Sequence, residues 1–335
     1  MAHQINPSLA RLWLPSGSRQ YGYVNPVRLS LQEESEQRAV DYLEQGVSES
    51  QYPAIGKLAK IPEPELGTLL TRLSGVLRTT SGFTQDLTEA EIAGHFAEIS
   101  RIYLTSDTDP AEIISRRRAS RIFIESMGRT GLTICRGLTS AFLGSILTLD
   151  NSLVKQSDVG NLGYTKGMLG ISRAKAANEI LMATGVQQHS RISGSMQNLD
   201  LAILIANDAV SPQSYQIWMR REVPHISIVF DEGGVQLSPI IIPGITRCLA
   251  CMELAKMDEN PDWVAIAPQL LALDRSLEDS AVVLFAASLA VNQALTLIDS
   301  GAANLLPTAY RLERSGQVSR FEVKSRECGC RIVRS

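Results

Sequence analysis

The sequence has almost no charge surplus. Its 32 Lys and Arg face 35 Asp and Glu, a formal net charge of −3, and its pI lies near 5.9. The bulk attraction that nucleic-acid and anionic-membrane proteins rely on is therefore missing, and neither partner is expected. The one run of three basic residues, Arg116-Arg117-Arg118 with Arg121 close behind, reads as a solvated loop before a strand. A secretory signal is missing as well: Met1-Ala2-His3-Gln4 leads into no apolar run. The longest apolar stretch, Ala281 to Ile298, is interrupted by Ser288, Asn292, Gln293 and Thr296 and flanked by Asp279 and Asp299. It reads as a buried helix rather than a membrane span. These absences make a cytoplasmic location the expectation, and disulfides are disfavoured there. Cysteine is scarce, with five residues in the chain.

What is present is an ordinary globular composition. The chain has 335 residues, 44% hydrophobic and 20% charged, enough for two domains and a sizeable core. Residues 1–80 read as a small module. "ARLWL", "QYGYV" and "NPVRLSL" are short strand-like runs separated by turn signals. Three helical stretches follow: Glu33 to Gln45, about Gln51 to Lys60, and Pro64 to Leu77. The last carries Leu66, Leu69, Leu70 and Leu73 at helical spacing. Strands and three short helices suggest a winged-helix-like arrangement, but the third helix has too few basic residues for nucleic acid. Residues 81–118 form a linker with one amphipathic helix, "TEAEIAGHFAEISRIYL", whose His95 reads as packing or surface. From residue 119 to 335 strands alternate with helices. Ile122–Ile124 and Ser145–Leu149 are strands, Gly131 to Leu143 and Arg173 to Thr184 are helices, and "LDLAILIA" and "PHISIVF" are strands again. The near-continuous apolar runs suit a parallel sheet covered on both faces. The order implies an α/β, doubly wound, mostly parallel sheet. After it come the long helix and a terminal hairpin turning at Ser315-Gly316.

Two constellations carry chemistry. Cys248 and Cys251 have C-x2-C spacing, and Cys328 and Cys330 form a tighter C-x-C around Gly329. Two thiolate pairs supply the four ligands that tetrahedral zinc takes. All positions are filled, so the zinc would be structural, clamping the C-terminal end to the sheet domain. Four unligated thiols and a redox C-x2-C are the alternatives. Cys135 lies in an apolar helix and reads as core. The second constellation is Ser126-Met127-Gly128-Arg129-Thr130-Gly131, which follows a strand and opens a helix. It has the setting of a nucleotide-phosphate turn, with Ser126 in place of the first glycine. Gly128 would let a phosphate approach, Gly131 would let helix and strand pack closely, and Asp150, 22 residues after Gly128, would meet a ribose hydroxyl. A tight turn with no ligand is the alternative. His189 and His225 have no recognisable catalytic partner in sequence and read as structural or surface residues.

From Arg121 to about Gln269 these pieces resemble the ThiF/MoeB group, the adenylating fold of ubiquitin-activating enzymes. The matching parts are the Gly128/Gly131 turn, Asp150, Gly170-Ile-Ser-Arg173-Ala174, "LDLAILIAND" and "IIIPGITRCLACMEL". "PGITRCLACMELAKMDENPDWVAIAPQL" and the terminal "ECGC" are similar to a divergent branch, the ThiF-like proteins of azole-modified peptide biosynthesis. That resemblance implies an N-terminal winged-helix-like module that binds a precursor's leader peptide as an added strand, at the edge of "QYGYV" or "PVRLSL". It also implies a YcaO-type cyclodehydratase as partner, and dimerisation is common in this fold. An active adenylating member would bind ATP and magnesium at Gly128, Gly131, Asp150, Arg173 and Asp208. The family's asparagine–arginine–glutamine segment is replaced here by "DVGNLGYTKG", with Lys166 the nearest cation. Asp208 stands one position from the family's metal-binding aspartate. Each lost donor costs on the order of 10²–10³ in turnover, so the expectation is a degenerate nucleotide site in a non-catalytic peptide-binding protein. An adenylating enzyme and a ThiF-like structural relic are the alternatives.

Overall fold

The computed structural model describes residues 2–80, 87–183, 191–193, 196–301 and 307–330. His189 and Thr184 lie outside the described residues. The chain divides into two compact units, one ending at Ser115 and the other beginning at Arg116.

The first unit contains β1 (Ala2–Ile5), β2 (Arg11–Trp13), β3 (Arg19–Tyr21), β4 (Val27–Leu29), α1 (Glu34–Gln45), β5 (Val47–Ser48), α2 (Tyr52–Ala59), α3 (Glu63–Leu73), β6 (Leu77–Thr80), α4 (Glu89–Gly94) and α5 (Phe96–Thr105). The helix α6 (Pro110–Ala119) runs across the boundary. The strands β2, β3 and β4 form an antiparallel meander with β3 in the middle. The three runs read as strands are these three. The third helix is shorter than its leucine spacing suggests: it ends at Leu73, and Leu77 opens β6, which pairs with β1. Leu66, Leu69 and Leu73 point from α3 into a core shared with Ala39, Val40 and Leu43 of α1 and with Leu29 of β4. The single helix expected over residues 88–104 is two. His95 leaves helical geometry, at φ −112° and ψ 20°, directly after Gly94, a residue that costs about 1 kcal/mol in a helix interior.

The second unit contains β7 (Arg121–Ile124), α7 (Arg129–Ser140), β8 (Ser145–Leu147), α8 (Arg173–Ala183), β9 (Arg191–Ser193), β10 (Leu201–Asn207), α9 (Pro212–Arg220), β11 (His225–Asp231), β12 (Gly234–Leu237), α10 (Leu249–Glu259), α11 (Trp263–Leu271), α12 (Ser280–Ser300), β13 (Ala309–Glu313) and β14 (Val318–Phe321). They build an eight-stranded sheet in the order β14-β13-β12-β11-β10-β7-β8-β9. The five strands from β9 to β11 are parallel, and β12, β13 and β14 continue antiparallel. The chain builds outward from β7 to β8 and β9 on one side and to β10 and β11 on the other. The switch in direction therefore falls between β7 and β10, and a crevice opens beyond the carboxyl ends of these two strands.

Both faces of the sheet are covered, as the apolar runs require. Ile122, Ile124, Leu201 and Ile203 face α7, α8 and α12, while Phe123, Ala202 and Leu204 face α9 and α10. The alternation is the period-2 consequence of strand geometry. Cys135 is fully buried on α7, and burial pushes its thiol up to about 12. The long apolar helix α12 buries Val282, Val283, Ala286, Ala287, Ala290, Ala294 and Leu295. It meets α7 where Gly137 stands: a Cβ there would lie 2.9 Å from Val291.

The basic run is not a solvated loop. Arg116–Arg118 form the last turn of α6, and Arg117 is fully buried. Its Nε and Nη2 donate to the two carboxylate oxygens of Asp299 at 2.8 and 2.6 Å, while Arg116 donates to the Asp299 carbonyl at 2.7 Å. These cations offset an acidic residue in the last turn of α12, where the helix dipole disfavours it. Removing one partner of a buried ion pair leaves an uncompensated charge, at about 3–5 kcal/mol. Asp299→Ala is therefore expected to destabilise the second unit by about that amount in urea unfolding. Exchange of a surface pair such as Lys324–Glu259 should change stability by less than about 1 kcal/mol.

Candidate functional site

The strand-to-helix turn sits at the switch point. Gly128 caps the amino end of α7, and Ser126 Oγ accepts from the Gly128 amide at 3.3 Å. The two glycines differ in what they need. A Cβ on Gly131 would fall 1.8 Å from the Ser126 carbonyl oxygen, so no larger residue fits without moving backbone. A Cβ on Gly128 would meet its neighbours at 3.6–3.9 Å, ordinary contact. Asp150 closes the turn from β8: its carboxylate accepts from the Met127 and Ser152 amides at 2.8 and 2.9 Å. Burial works against that charge. The hydrogen bonds and nearby Arg173 outweigh burial and hold the Asp150 carboxyl below its ordinary value.

Arg173 opens α8 beside the turn, but its guanidinium is taken. Nε and Nη2 donate to both oxygens of the buried Asp158 at 2.9 and 2.8 Å, and Nη1 lies 3.5 Å from Asp150. Tyr164 locks the same loop, donating to the Met127 carbonyl at 2.5 Å. Lys166 is exposed. Asp208 follows β10 in left-handed geometry, φ 62°, and is also taken: Arg275 donates to its two oxygens at 2.9 and 2.6 Å and to Glu232 at 3.1 Å.

The segment between α11 and α12 is hydrogen-bonded into the same crevice. The Leu277 amide donates to Asn207 Oδ1 at 3.2 Å. Arg129 donates to the Glu278 carbonyl at 3.1 Å, and Arg314, from the turn after β13, donates to the Leu277 carbonyl at 3.1 Å. The Glu278 carboxylate accepts from the Thr130 amide at 3.0 Å and from the Thr130 hydroxyl at 2.5 Å. A carboxylate therefore occupies the amino end of α7, the position where such a turn would meet a phosphate. The structure brings Gly128, Gly131, Asp150, Arg173 and Asp208 to one crevice. The residues do not fit a magnesium nucleotide: the cation at Arg173 and the acid at Asp208 both carry internal partners. Five carboxylates (Asp150, Asp158, Asp208, Glu232, Glu278) share the crevice with four guanidinium groups (Arg129, Arg173, Arg275, Arg314). Asp158, Arg275 and Glu278 gave no signal in the sequence, since their partners lie 15, 67 and 148 residues away.

The four cysteines meet on the other side of the sheet. Cys248 caps α10 and Cys251 lies in its first turn, both buried. The chain after β14 returns, its Arg326 amide donating to the Cys251 carbonyl at 2.9 Å, and brings Cys328 and Cys330 onto the pair. Four Sγ···Sγ distances are 3.9 Å (Cys248–Cys251), 3.5 Å (Cys248–Cys328), 3.4 Å (Cys251–Cys328) and 3.6 Å (Cys251–Cys330). All four sulfurs lie within 4.8 Å of one another. A tetrahedral ion with Zn–S bonds of about 2.3 Å requires sulfurs about 3.8 Å apart, and disulfides would need about 2 Å. The cluster could hold one metal ion, with no position left for a substrate or water.

No sequence-family model and no curated protein sequence matches the chain. Solved structures do. Escherichia coli MccB superposes with TM-score 0.71 at 14% identity, covering 100% of this chain and 98% of its own. The chain has the ThiF/MoeB-like fold of MccB. The complex of E. coli MccB with AMPCPP and the peptide MccA gives TM-score 0.69 at 14% identity over 98% of this chain and 99% of that chain. PaaA gives 0.63 at 16% identity over 82% of this chain and 98% of its own.

Removal of a sulfur from the cluster should release the C-terminal segment. Cys251→Ser and Cys328→Ser are each expected to lower metal content and to lower the melting temperature together, by roughly 5–10 °C for a loss of a few kcal/mol. A metal assay of the purified protein and differential scanning calorimetry with and without a chelator check this.

Proposed function

We propose that the protein is a non-catalytic, cytoplasmic peptide-binding protein of azole-modified peptide biosynthesis. It grips the leader of a precursor peptide with its first unit and presents that peptide to a YcaO-type cyclodehydratase. One observation carries this reading: the likeness to MccB runs through the first unit as well as the second, and MccB is solved with the peptide MccA bound. The crowded crevice supports the non-catalytic half of the proposal. In this reading the four cysteines hold structural zinc and the second unit forms a homodimer.

The first unit supplies a surface of the right chemistry. The meander and three helices make a winged-helix-like module. The strand within "QYGYV" is central, paired on both sides, so it offers no edge. The strand within "PVRLSL", β4, is an edge: no described strand pairs with its far side. Its Leu29 packs with Leu66, Leu69 and Leu73 of α3 in one core, which holds the strand in place. Addition of a peptide strand at this edge draws affinity from main-chain hydrogen bonds and selectivity from side-chain pockets. The alternative, an adenylating enzyme, is favoured by MccB's capture with ATP. Pyrophosphate exchange by this protein would support it.

The peptide to test is a short cysteine- or serine-rich precursor; a gene for one beside this gene, with a YcaO-type gene, would support the reading. Backbone N-methylation at alternate residues should weaken its binding about tenfold in one register, through the loss of one or two hydrogen bonds of roughly 1 kcal/mol each. The register shifted by one residue should bind normally, because strand partners repeat every second residue. Fluorescence anisotropy reads the affinities, and hydrogen exchange should slow at residues 27–29. Equal binding by both registers, or protection at residues 11–13 instead, would contradict the proposal.

A further inference from the structure

The crowding of the switch-point crevice has a pattern. Two of the groups that fill it, Arg275 and Glu278, come from one short segment, "DRSLED", between α11 and α12. Each stands against a group of opposite character that a magnesium nucleotide would otherwise engage. Glu278 places a carboxylate on the Thr130 amide and hydroxyl at the amino end of α7, where backbone donors and the helix dipole favour an anion. Arg275 places a guanidinium between Asp208 and Glu232, an acidic pair that would otherwise favour a divalent cation. We propose that residues 274–279 are an intramolecular ligand of the nucleotide turn, with Glu278 in the place of a phosphate and Arg275 in the place of the metal ion.

The segment is built to stay. Leu277 packs against the core that α7 and α12 share, and its amide and carbonyl are held by Asn207 and Arg314. Asp279 caps α12, accepting from the Ala281 and Val282 amides at 3.0 and 3.3 Å, and pairs with Arg314. The anion mimic thus sits one residue before a capped 21-residue helix, whose start fixes its reach. A tethered ligand competes at a high effective concentration. If the segment is docked in about 99% of molecules, an external polyphosphate binds roughly 100-fold more weakly than the bare turn would allow. The geometry therefore accounts for more than a loss of catalytic groups: it accounts for exclusion of the nucleotide itself.

This inference rests on contacts within the second unit and is independent of the peptide reading, so either can fail alone. The test compares wild type with Arg275→Ala/Glu278→Ala and with the milder, uncharged Arg275→Gln/Glu278→Gln, using magnesium pyrophosphate and magnesium ATP as probes in calorimetry and thermal-shift titrations. Wild type should show no saturable micromolar binding of either probe. The double variants should retain metal content and far-UV circular dichroism and gain binding, with a dissociation constant at least about tenfold below any seen for wild type. Should the alanine variant fail to fold, the glutamine variant carries the comparison, because it keeps a polar side chain at both positions and the size of Glu278 while removing both charges. Micromolar binding by wild type would overturn the proposal, and so would a folded double variant that gains none. Leader-peptide affinity should be the same in all three proteins, so a loss there bears on the function proposed above and not on this one.

Discussion

A helix that starts at the end of a buried parallel strand leaves its first amides without partners and its positive dipole end uncompensated. In this protein the Glu278 carboxylate meets that need at α7, donated to by Thr130. The rest of the crevice is arranged around it. Glu278 reaches Thr130 because Asp279 starts α12 one residue later, and α12 lies against α7 because Gly137 admits Val291. Arg275, three residues back, then falls between Asp208 and Glu232. On the far side, Arg173 turns to Asp158 and Asp150 instead of outward. The result is a set of charges that satisfy one another.

The second unit is also fastened at its two chain ends. At the start, Arg117 is buried against Asp299. At the end, Cys328 and Cys330 return to Cys248 and Cys251 at the start of α10, and Arg326 and Lys324 pair with Asp258 and Glu259 at its other end. A closed four-sulfur cluster has no vacancy for chemistry, and its effect is to hold β14 and the chain after it onto the helix that covers the sheet. The restraint of the chain ends and the internal pairing of the crevice are thus separate features of one scaffold.

Much of this was legible in the sequence where local pattern decides it. Near-continuous apolar strands alternating with helices disclosed the sheet, "PSGSR" and Ser315-Gly316 marked hairpin turns, and the two cysteine pairs disclosed the cluster. Gly131 was legible because strand–turn–helix packing at that spacing leaves no room for a side chain. What was not legible depends on partners distant in sequence. Arg116–Arg118 looked like a solvated run because Asp299, which buries Arg117, lies 182 residues on. The short strands β1, β5 and β6 escaped notice because their pairing is decided by tertiary contact and not by propensity. Arg173 and Asp208 carried the residue types of a nucleotide site, but nothing in their neighbourhoods disclosed that Asp158 and Arg275 neutralise them.

The central claim, that the ThiF-like unit keeps its nucleotide turn occupied from within, is tested most directly by hydrogen exchange of wild-type protein with and without magnesium ATP. The account predicts that the Thr130 amide is already protected in free protein and that residues 126–131 and 207–209 exchange identically with the nucleotide present. A nucleotide-dependent slowing of exchange across those residues, with matching deprotection of 274–279, would contradict it.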